Sequence, residues 1–287
     1  MSAIIFLIDC PDRKGLVAST SSFFYERGFN LLHCQQYADP RDHHFYMRMK
    51  LSLEDLPGSR KQLEDEFGEF ASGLDMRWSV RYTDRMERLA LLVTRESHCL
   101  YDLLLRKEEG ELRCEIPVII SNHPTLEGVA DRFRIPFHCL PVTAGTRTDQ
   151  EEQLLGLLRR YHIDLVVLAR YMQILSPTVV DPWRGRIINI HHAFLPAFQG
   201  GNPYERAYER GVKMIGATAH FVTEELDEGP IIEQDVERVN HEHTPEELRR
   251  IGRDIERIVL ARAVKAYVEH QLLVSGRRTI SFTGGAS

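Results

Sequence analysis

Asn189, His191 and Asp227 are the residues of this chain whose types and spacing best suit oxyanion and proton chemistry. The first two close an apolar run, Arg186-Ile187-Ile188-Asn189-Ile190-His191-His192, and a loop containing Pro196 and Gly200 follows. On an extended chain residues i and i+2 point to the same side, so this amide and imidazole project together. Ligands of open α/β sheets bind at the carboxyl ends of the strands. An Asn and a His converging there can donate hydrogen bonds to an oxygen that gains charge during acyl transfer. Taken alone, the pair also fits a strand end capped by polar residues. Gly216 to Val222 alternates as a strand that places Thr218 and His220 on one face, and an acidic loop, Thr223 to Pro230, follows it. There Asp227 stands among Glu224, Glu225 and Glu228, and nearby negative charge disfavours its ionisation. Such a carboxyl would shuttle a proton near neutral pH. A solvated acidic turn and a satisfied strand histidine are the plainer readings of Asp227 and His220 taken singly. His241 and His243 have the spacing of a metal pair, but no further ligands converge in sequence, so a polar loop and no metal site are expected.

Two sets of elements must position these residues. Residues 3–8 read as a strand, 15–27 as a helix stopped at Gly28, 30–39 and 43–51 as strands, 60–71 as a helix and 76–82 as a strand. The order β-α-β-β-α-β in about 80 residues is the ferredoxin-like split βαβ unit. The polar run Thr83 to Arg88 marks a boundary, giving expected domains of residues 1–83 and 84–287. Beyond it strands (89–94, 116–121, 137–140, 164–169, 186–190) alternate with helices (99–106, 127–134, 149–161), the signature of a Rossmann-like, mostly parallel sheet. Thr244 caps a long amphipathic helix to Gln271, whose Arg249, Arg253 and Arg257 are expected on its solvated face with Glu246, Glu247 and Asp254 as partners. Residues 272–282 suit a closing hairpin around Ser275-Gly276.

The totals exclude several classes of function. Thirty-six basic against forty-two acidic residues leave −6, which carries no footprint of nucleic acid or of an anionic membrane surface. Five scattered cysteines without a C-x-x-C point to a reducing compartment rather than disulfides or zinc. The apolar run Ala3 to Ile8 is too short for a signal peptide, so a cytoplasmic location is expected.

Ordered motifs add a resemblance. Asp9-Cys10-Pro11-Asp12-Arg13-Lys14-Gly15-Leu16-Val17 with Gly28-Phe29-Asn30 resembles an ACT domain, a small regulatory fold that often binds amino acids. Gly15 would let an effector approach the backbone, or would be a turn glycine in a domain used for oligomer contacts. Asn189-Ile190-His191, Leu195-Pro196-x-Phe198-x-Gly200, Gly216-x-Thr218-x-His220-Phe221-Val222 and Leu226-Asp227-x-Gly229-Pro230-Ile231-Ile232 resemble the formyltransferase family, which uses 10-formyltetrahydrofolate. The resemblance spans residues 88 to about 283. It implies that Asn189 and His191 bind the formyl oxygen, that Asp227 handles protons or positions water, and that Thr218, His220 and His192 support them. Leu168 to Pro177 looks like the family's pterin-binding segment, with Met172, Gln173, Ile174 and Leu175 at the ring and Glu224 and Glu225 in the facing loop.

An ACT domain ahead of the catalytic domain is the arrangement of the family's deformylase branch. Its members hydrolyse the substrate to formate and tetrahydrofolate, supplying formate for purine synthesis and balancing folate pools. His191-His192 fits that branch, since the transformylases usually have proline after the histidine. Ala193 stands where the family commonly has serine, and Gln173 where the transformylases have arginine. The resemblance thus implies 10-formyltetrahydrofolate and water as partners, no cofactor or metal, a homo-oligomer, and an amino-acid effector as an open question. Transfer to a small amine, or a non-catalytic folate or amino-acid sensor, are the competing readings. The loop Thr94-Arg95-Glu96-Ser97-His98-Cys99, after the first strand of the sheet, has no glycine to cradle a phosphate, which favours water as acceptor.

Overall fold

The structure, a computed structural model, describes residues 2–143, 145–196 and 203–283. Its first unit is built from β1 (Ala3–Pro11), α1 (Leu16–Glu26), β2 (Leu31–Asp39), β3 (His44–Ser52), α2 (Arg60–Ser72) and β4 (Arg77–Tyr82). The sheet runs β2-β3-β1-β4 with antiparallel neighbours, the arrangement expected of the split βαβ order. The helical spacing of Leu16, Thr20, Phe23 and Phe24 gives α1 one buried face, and Leu63, Phe67 and Ala71 do the same for α2. Aromatic rings fill the space between helices and sheet. Phe67 lies 4.5 Å from Phe6 and stacks 5.5 Å from Phe24, centroid to centroid.

The second unit carries β5 (Glu87–Val93), α3 (His98–Glu108), β6 (Cys114–Ser121), α4 (Glu127–Arg132), β7 (Phe137–Cys139), α5 (Arg147–Arg160), β8 (Leu165–Leu168), α6 (Pro177–Val180) and β9 (Ile187–His191). It continues through α7 (Pro203–Glu209), β10 (Met214–Phe221), β11 (Ile231–Arg238) and α8 (Pro245–Val268), and the chain closes with β12 (Leu272–Ser275) and β13 (Arg278–Ser281). The sheet order is β12-β13-β11-β10-β9-β8-β5-β6-β7. Strands β5 to β9 are mutually parallel, while β10 runs antiparallel to both β9 and β11. The four residues of β8 are all buried, as a strand covered on both faces must be. Helix α8 starts on a capping box, Thr244 accepting from the Glu247 backbone N–H while the Glu247 carboxylate takes the Thr244 N–H.

Unit boundaries differ from a single break after residue 83. The first unit extends to Met86 and takes in His270–Leu273 and residues 280–283, while Val274–Thr279 groups with the second. The cause is apolar: Phe282, with Leu273 and Ile280, packs on Leu7 and Tyr46. A sequence read in order gives no sign that its last strand returns to the first domain. The arginines of α8 lie on its exposed side, with Asp254 a partner of Arg257 as expected and with further partners that the sequence did not indicate. Arg249 faces Glu205 at 3.8 Å, Arg253 faces Glu96 at 2.8 Å, and Arg257 divides itself between Asp254 at 3.1 Å and Asp102 at 3.6 Å. They stay solvent-exposed, as expected, and also tie α8 to α7, to α3 and to the loop before α3. No helix among the described residues is long and apolar enough to cross a membrane.

Phe67 is fully buried at the centre of the first unit's ring cluster. Phe67→Ala should cost that unit about 3–5 kcal/mol, read as a lowered denaturation midpoint followed by Trp78 fluorescence. A midpoint that does not move would mean the cluster is not what holds this unit.

Candidate active site

Strand β9 is where the sheet changes direction, with β8 parallel on one side and β10 antiparallel on the other. The β9/β10 register sets Asn189 opposite His220 and His191 opposite Thr218. Directly opposed residues share a face of the sheet, so four polar side chains from two strands meet at one place. Asn189 Nδ2 lies 3.2 Å from His220 Nε2, and His220 Nδ1 lies 2.9 Å from the Phe221 carbonyl oxygen. A ring nitrogen beside a carbonyl must carry the proton, so Nδ1–H donates to Phe221 and Nε2 accepts from the Asn189 amide. That arrangement engages one amide N–H of Asn189, a residue lining the cavity, and leaves the second available to a ligand there.

Thr218 does a different job. Its hydroxyl donates to the Ala193 carbonyl at 2.9 Å and accepts from the Leu195 N–H at 3.0 Å and from Gln234 Nε2 at 2.9 Å. It therefore pins the turn after the two histidines, and Gln234, which had no signal in the sequence, completes the clamp. Of the motif Leu195-Pro196-x-Phe198-x-Gly200, Phe198 and Gly200 lie outside the described residues.

Asp227 reaches the same face from the loop between β10 and β11. His191 Nδ1 donates to its Oδ2 at 3.2 Å, and His220 Nε2 stands 3.7 Å from Oδ1. The loop can fold back this far because of Gly229, where a Cβ would sit 1.7 Å from the Phe221 carbonyl oxygen. Asp227 itself adopts φ 58°, a region that Asp tolerates better than most residues.

The expectation that neighbouring carboxylates raise Asp227 is overturned. Glu224 pairs with Arg184 at 3.6 Å and Glu228 with Arg277 at 2.6 Å, so guanidinium groups offset their charges. Burial alone would raise the Asp227 carboxyl, but the hydrogen bond from His191 outweighs it and holds the group well below the usual carboxylate range.

With Nδ1 engaged, His191 Nε2 is buried and has no protein partner among the described residues. His191 is one of the residues lining a cavity of about 230 Å³. One side of that cavity is apolar: Met172, Ile174, Leu175 and Val222 line it, and Met172 and Ile174 are more than half exposed although apolar. Exposed apolar walls converging on a few polar groups are the usual make-up of a site for a flat organic ring. Gln173, Glu224 and Glu225 also line it, so every folate-contacting residue expected from the sequence borders one cavity. The loop from Ala169 to Ser176 is fixed by Thr94, whose hydroxyl accepts the Met172 N–H at 3.0 Å, and by Glu151, which accepts the Ser176 N–H at 2.9 Å.

His192, at the other side of His191, is lowered to about 4 by burial, with Arg170 and His191 adding to it, so its imidazole stays neutral. Behind it lies a charged cluster without an obvious motif. Glu256 accepts from Tyr204 at 2.7 Å and bonds His98 Nε2 at 2.8 Å, with Arg170 Nε at 3.4 Å. The signal was a carboxylate on the buried phase of α8, four residues after Gly252 and four before Leu260. His98, Cys99 and Glu256 are close enough to share a metal ion, but Arg170 already meets the Glu256 charge, which opposes a second cation there.

The comparisons with known proteins agree on one group. Residues 87–264 match the family model described as formyl transferase. A formyltetrahydrofolate deformylase of Synechocystis is 50% identical over 96% of this chain and 97% of its own length, and that of Bacillus subtilis is 47% identical over 96% and 92%. The crystal structure of a formyltetrahydrofolate deformylase from Pseudomonas syringae superimposes with a TM-score of 0.96 at 40% identity, covering 99% of this chain and 95% of that one.

Because its carboxyl is held below the ordinary value of about 3.9, Asp227 stays ionised at neutral and mildly acidic pH. The stability its charge contributes is present above that unfolded-state value and is lost only as the pH falls through the lower folded one. Infrared difference spectra of wild type against Asp227→Asn at about pH 5 should show a carboxylate and no protonated carboxyl, given that ordinary value. A protonated-carboxyl band at that pH would return Asp227 to the role of a neutral-pH proton shuttle.

Proposed function

We propose, from the premise that the chain belongs to the formyltetrahydrofolate deformylase family, that Asn189, His191 and Asp227 carry the reaction. The chain is an enzyme that hydrolyses 10-formyltetrahydrofolate to formate and tetrahydrofolate. One observation carries the residue assignment: His191, a residue lining the cavity, is held at Nδ1 by an ionised carboxylate, while its Nε2 is buried and unpartnered among the described residues.

The pterin ring occupies the apolar side between the 169–176 loop and the 222–227 loop, which leaves the formyl carbon beside His191 and Asn189. Water attacks that carbon and loses a proton to His191 Nε2, as the carbonyl oxygen takes up the electron pair of its π bond. The Asn189 N–H receives the oxyanion, and the new imidazolium becomes a second donor beside it. Asp227 stabilises the imidazolium through Nδ1–H and keeps the ring in the tautomer with Nε2 free, the logic of a His–Asp pair in hydrolases. On collapse the C–N bond breaks, His191 returns the proton to the leaving nitrogen, and formate departs. His220 and Thr218 are positioning residues, the first for the Asn189 amide and the second for the turn after His192. No step needs a metal or a cofactor.

For the first unit we propose an ACT-like regulatory role, with association between copies of the chain as its natural accompaniment. Gly15 supports this reading, since φ is 91° and a Cβ there would meet nothing within 4 Å. The backbone at that turn is open to a small ligand such as an amino acid.

Formate release from 10-formyltetrahydrofolate with no amine present tests the reaction, and Asn189→Ala tests the oxyanion role. The variant should keep folate binding and lose roughly 10²–10³ in kcat, the usual cost of removing one such donor. A variant with wild-type kcat would remove Asn189 from the catalytic group.

A further inference from the structure

The proposed reaction leaves open why water, and no larger nucleophile, reaches the formyl carbon. We propose that the buried cluster of Arg170, Glu256, His98 and Tyr204 is the specificity device that reserves the acceptor position for water, by filling the side of the site behind His192. This inference rests on the hydrolytic reading above and refines it.

The cavity has two unlike sides. The apolar side suits the ring, so a nucleophile must approach the formyl carbon from the polar side, where Arg170 and His192 line the cavity. That side is closed by a sequence of contacts. The His192 ring stands 5.1 Å from the His191 ring and 6.3 Å from the Tyr204 ring, centroid to centroid. Tyr204 bonds Glu256, which is 1% exposed, and Glu256 in turn holds His98 and Arg170. Burial would raise the Glu256 carboxyl, but His98, Arg170 and Tyr204 outweigh it and keep it charged, so the pair does not relax by neutralisation.

Two further features show that this wall is built by the chain and is not incidental. Gly252 faces Tyr204 so closely that a Cβ would fall 2.0 Å from its hydroxyl, so any larger residue on α8 would displace the ring from Glu256. Arg170 is held at φ 65°, an uncommon conformation for a non-glycine residue and one that costs energy unless its surroundings impose it. Beyond the cluster, Arg253 pairs with Glu96 at 2.8 Å, closing the loop after β5 against α8. The remaining volume, about 230 Å³, is below the roughly 300–1,000 Å³ typical of pockets for drug-sized ligands. A cavity of that size favours one ring and a small nucleophile over two organic substrates. The Arg170 guanidinium also repels a cationic amine from the same side.

The test is a partition experiment with hydroxylamine as the alternative nucleophile. Its nitrogen attacks the formyl carbon, the carbon–nitrogen bond to the folate breaks, and the proton it sheds passes to the leaving nitrogen, giving formohydroxamate and tetrahydrofolate. The ratio of hydroxamate to formate is read within each reaction, so a slower enzyme does not distort it. Wild type should give mainly formate. Arg170→Ala and Tyr204→Ala should raise the ratio by roughly tenfold or more, the scale on which a changed pocket wall discriminates between small groups, while Tyr204→Phe, which keeps the ring in place, should leave it near wild type. Should Arg170→Ala not fold, Arg170→Gln, which drops the charge and shortens the side chain, carries the same expectation. An unchanged ratio in active Arg170 and Tyr204 variants would overturn the inference. So would an Arg170 variant that binds folate yet forms neither product, since that would place Arg170 in the chemistry itself. Absence of formate from wild type without hydroxylamine would instead overturn the hydrolytic reading.

Discussion

The hydrogen bond between His191 Nδ1 and Asp227 is the contact on which the rest of this site depends. It decides which ring nitrogen carries a proton, and so leaves Nε2 as the unprotonated nitrogen of a ring that lines the cavity. It also keeps a largely buried carboxylate charged, which burial alone would disfavour. An isolated charge at that depth would be costly; the His191 N–H that it accepts offsets the desolvation. The contact in turn requires Gly229, because the loop must press against the Phe221 carbonyl to deliver Asp227.

Around that contact, the sheet supplies register and the helices supply closure. Changing from parallel to antiparallel neighbours at β9 places Asn189 and His191 against His220 and Thr218 without any special loop. One imidazole then orients an amide, and one hydroxyl holds a turn. Helix α8 supports the site from behind, with Glu256 as the buried anchor for Arg170 and arginines reaching to Glu96 and Asp102. The same helix thus carries packing on one phase and site-shaping charge on a neighbouring one.

Much of this was legible from residue order. Alternation of apolar runs located every strand of the parallel sheet to within a few residues, because strands buried on both faces leave continuous Leu, Val and Ile segments. The i, i+2 relation of Asn189 and His191 and of Thr218 and His220 survived intact, since the two-residue period of a strand is a local property. What stayed hidden was non-local. The ionisation of Asp227 was misjudged because the acidic neighbours are adjacent in sequence while the histidines that govern it are adjacent in space. Glu256, Tyr204 and His98 come from three separate elements, and no spacing rule joins them. The return of Phe282 to the first unit was invisible for the same reason: nothing in a closing hairpin says which core it covers.

The central claim is that His191 and Asp227 act as one unit, and a double-mutant cycle on kcat tests it most directly. The measurement compares His191→Ala, Asp227→Asn and the double variant for formate release under saturating substrate. If the carboxylate works through the imidazole, each single change should cost a large part of roughly 10²–10⁴ in rate, and the double variant should be hardly slower than His191→Ala. A double variant slower by the product of the two single effects would contradict the account, since Asp227 would then be acting on the substrate or the water independently of His191.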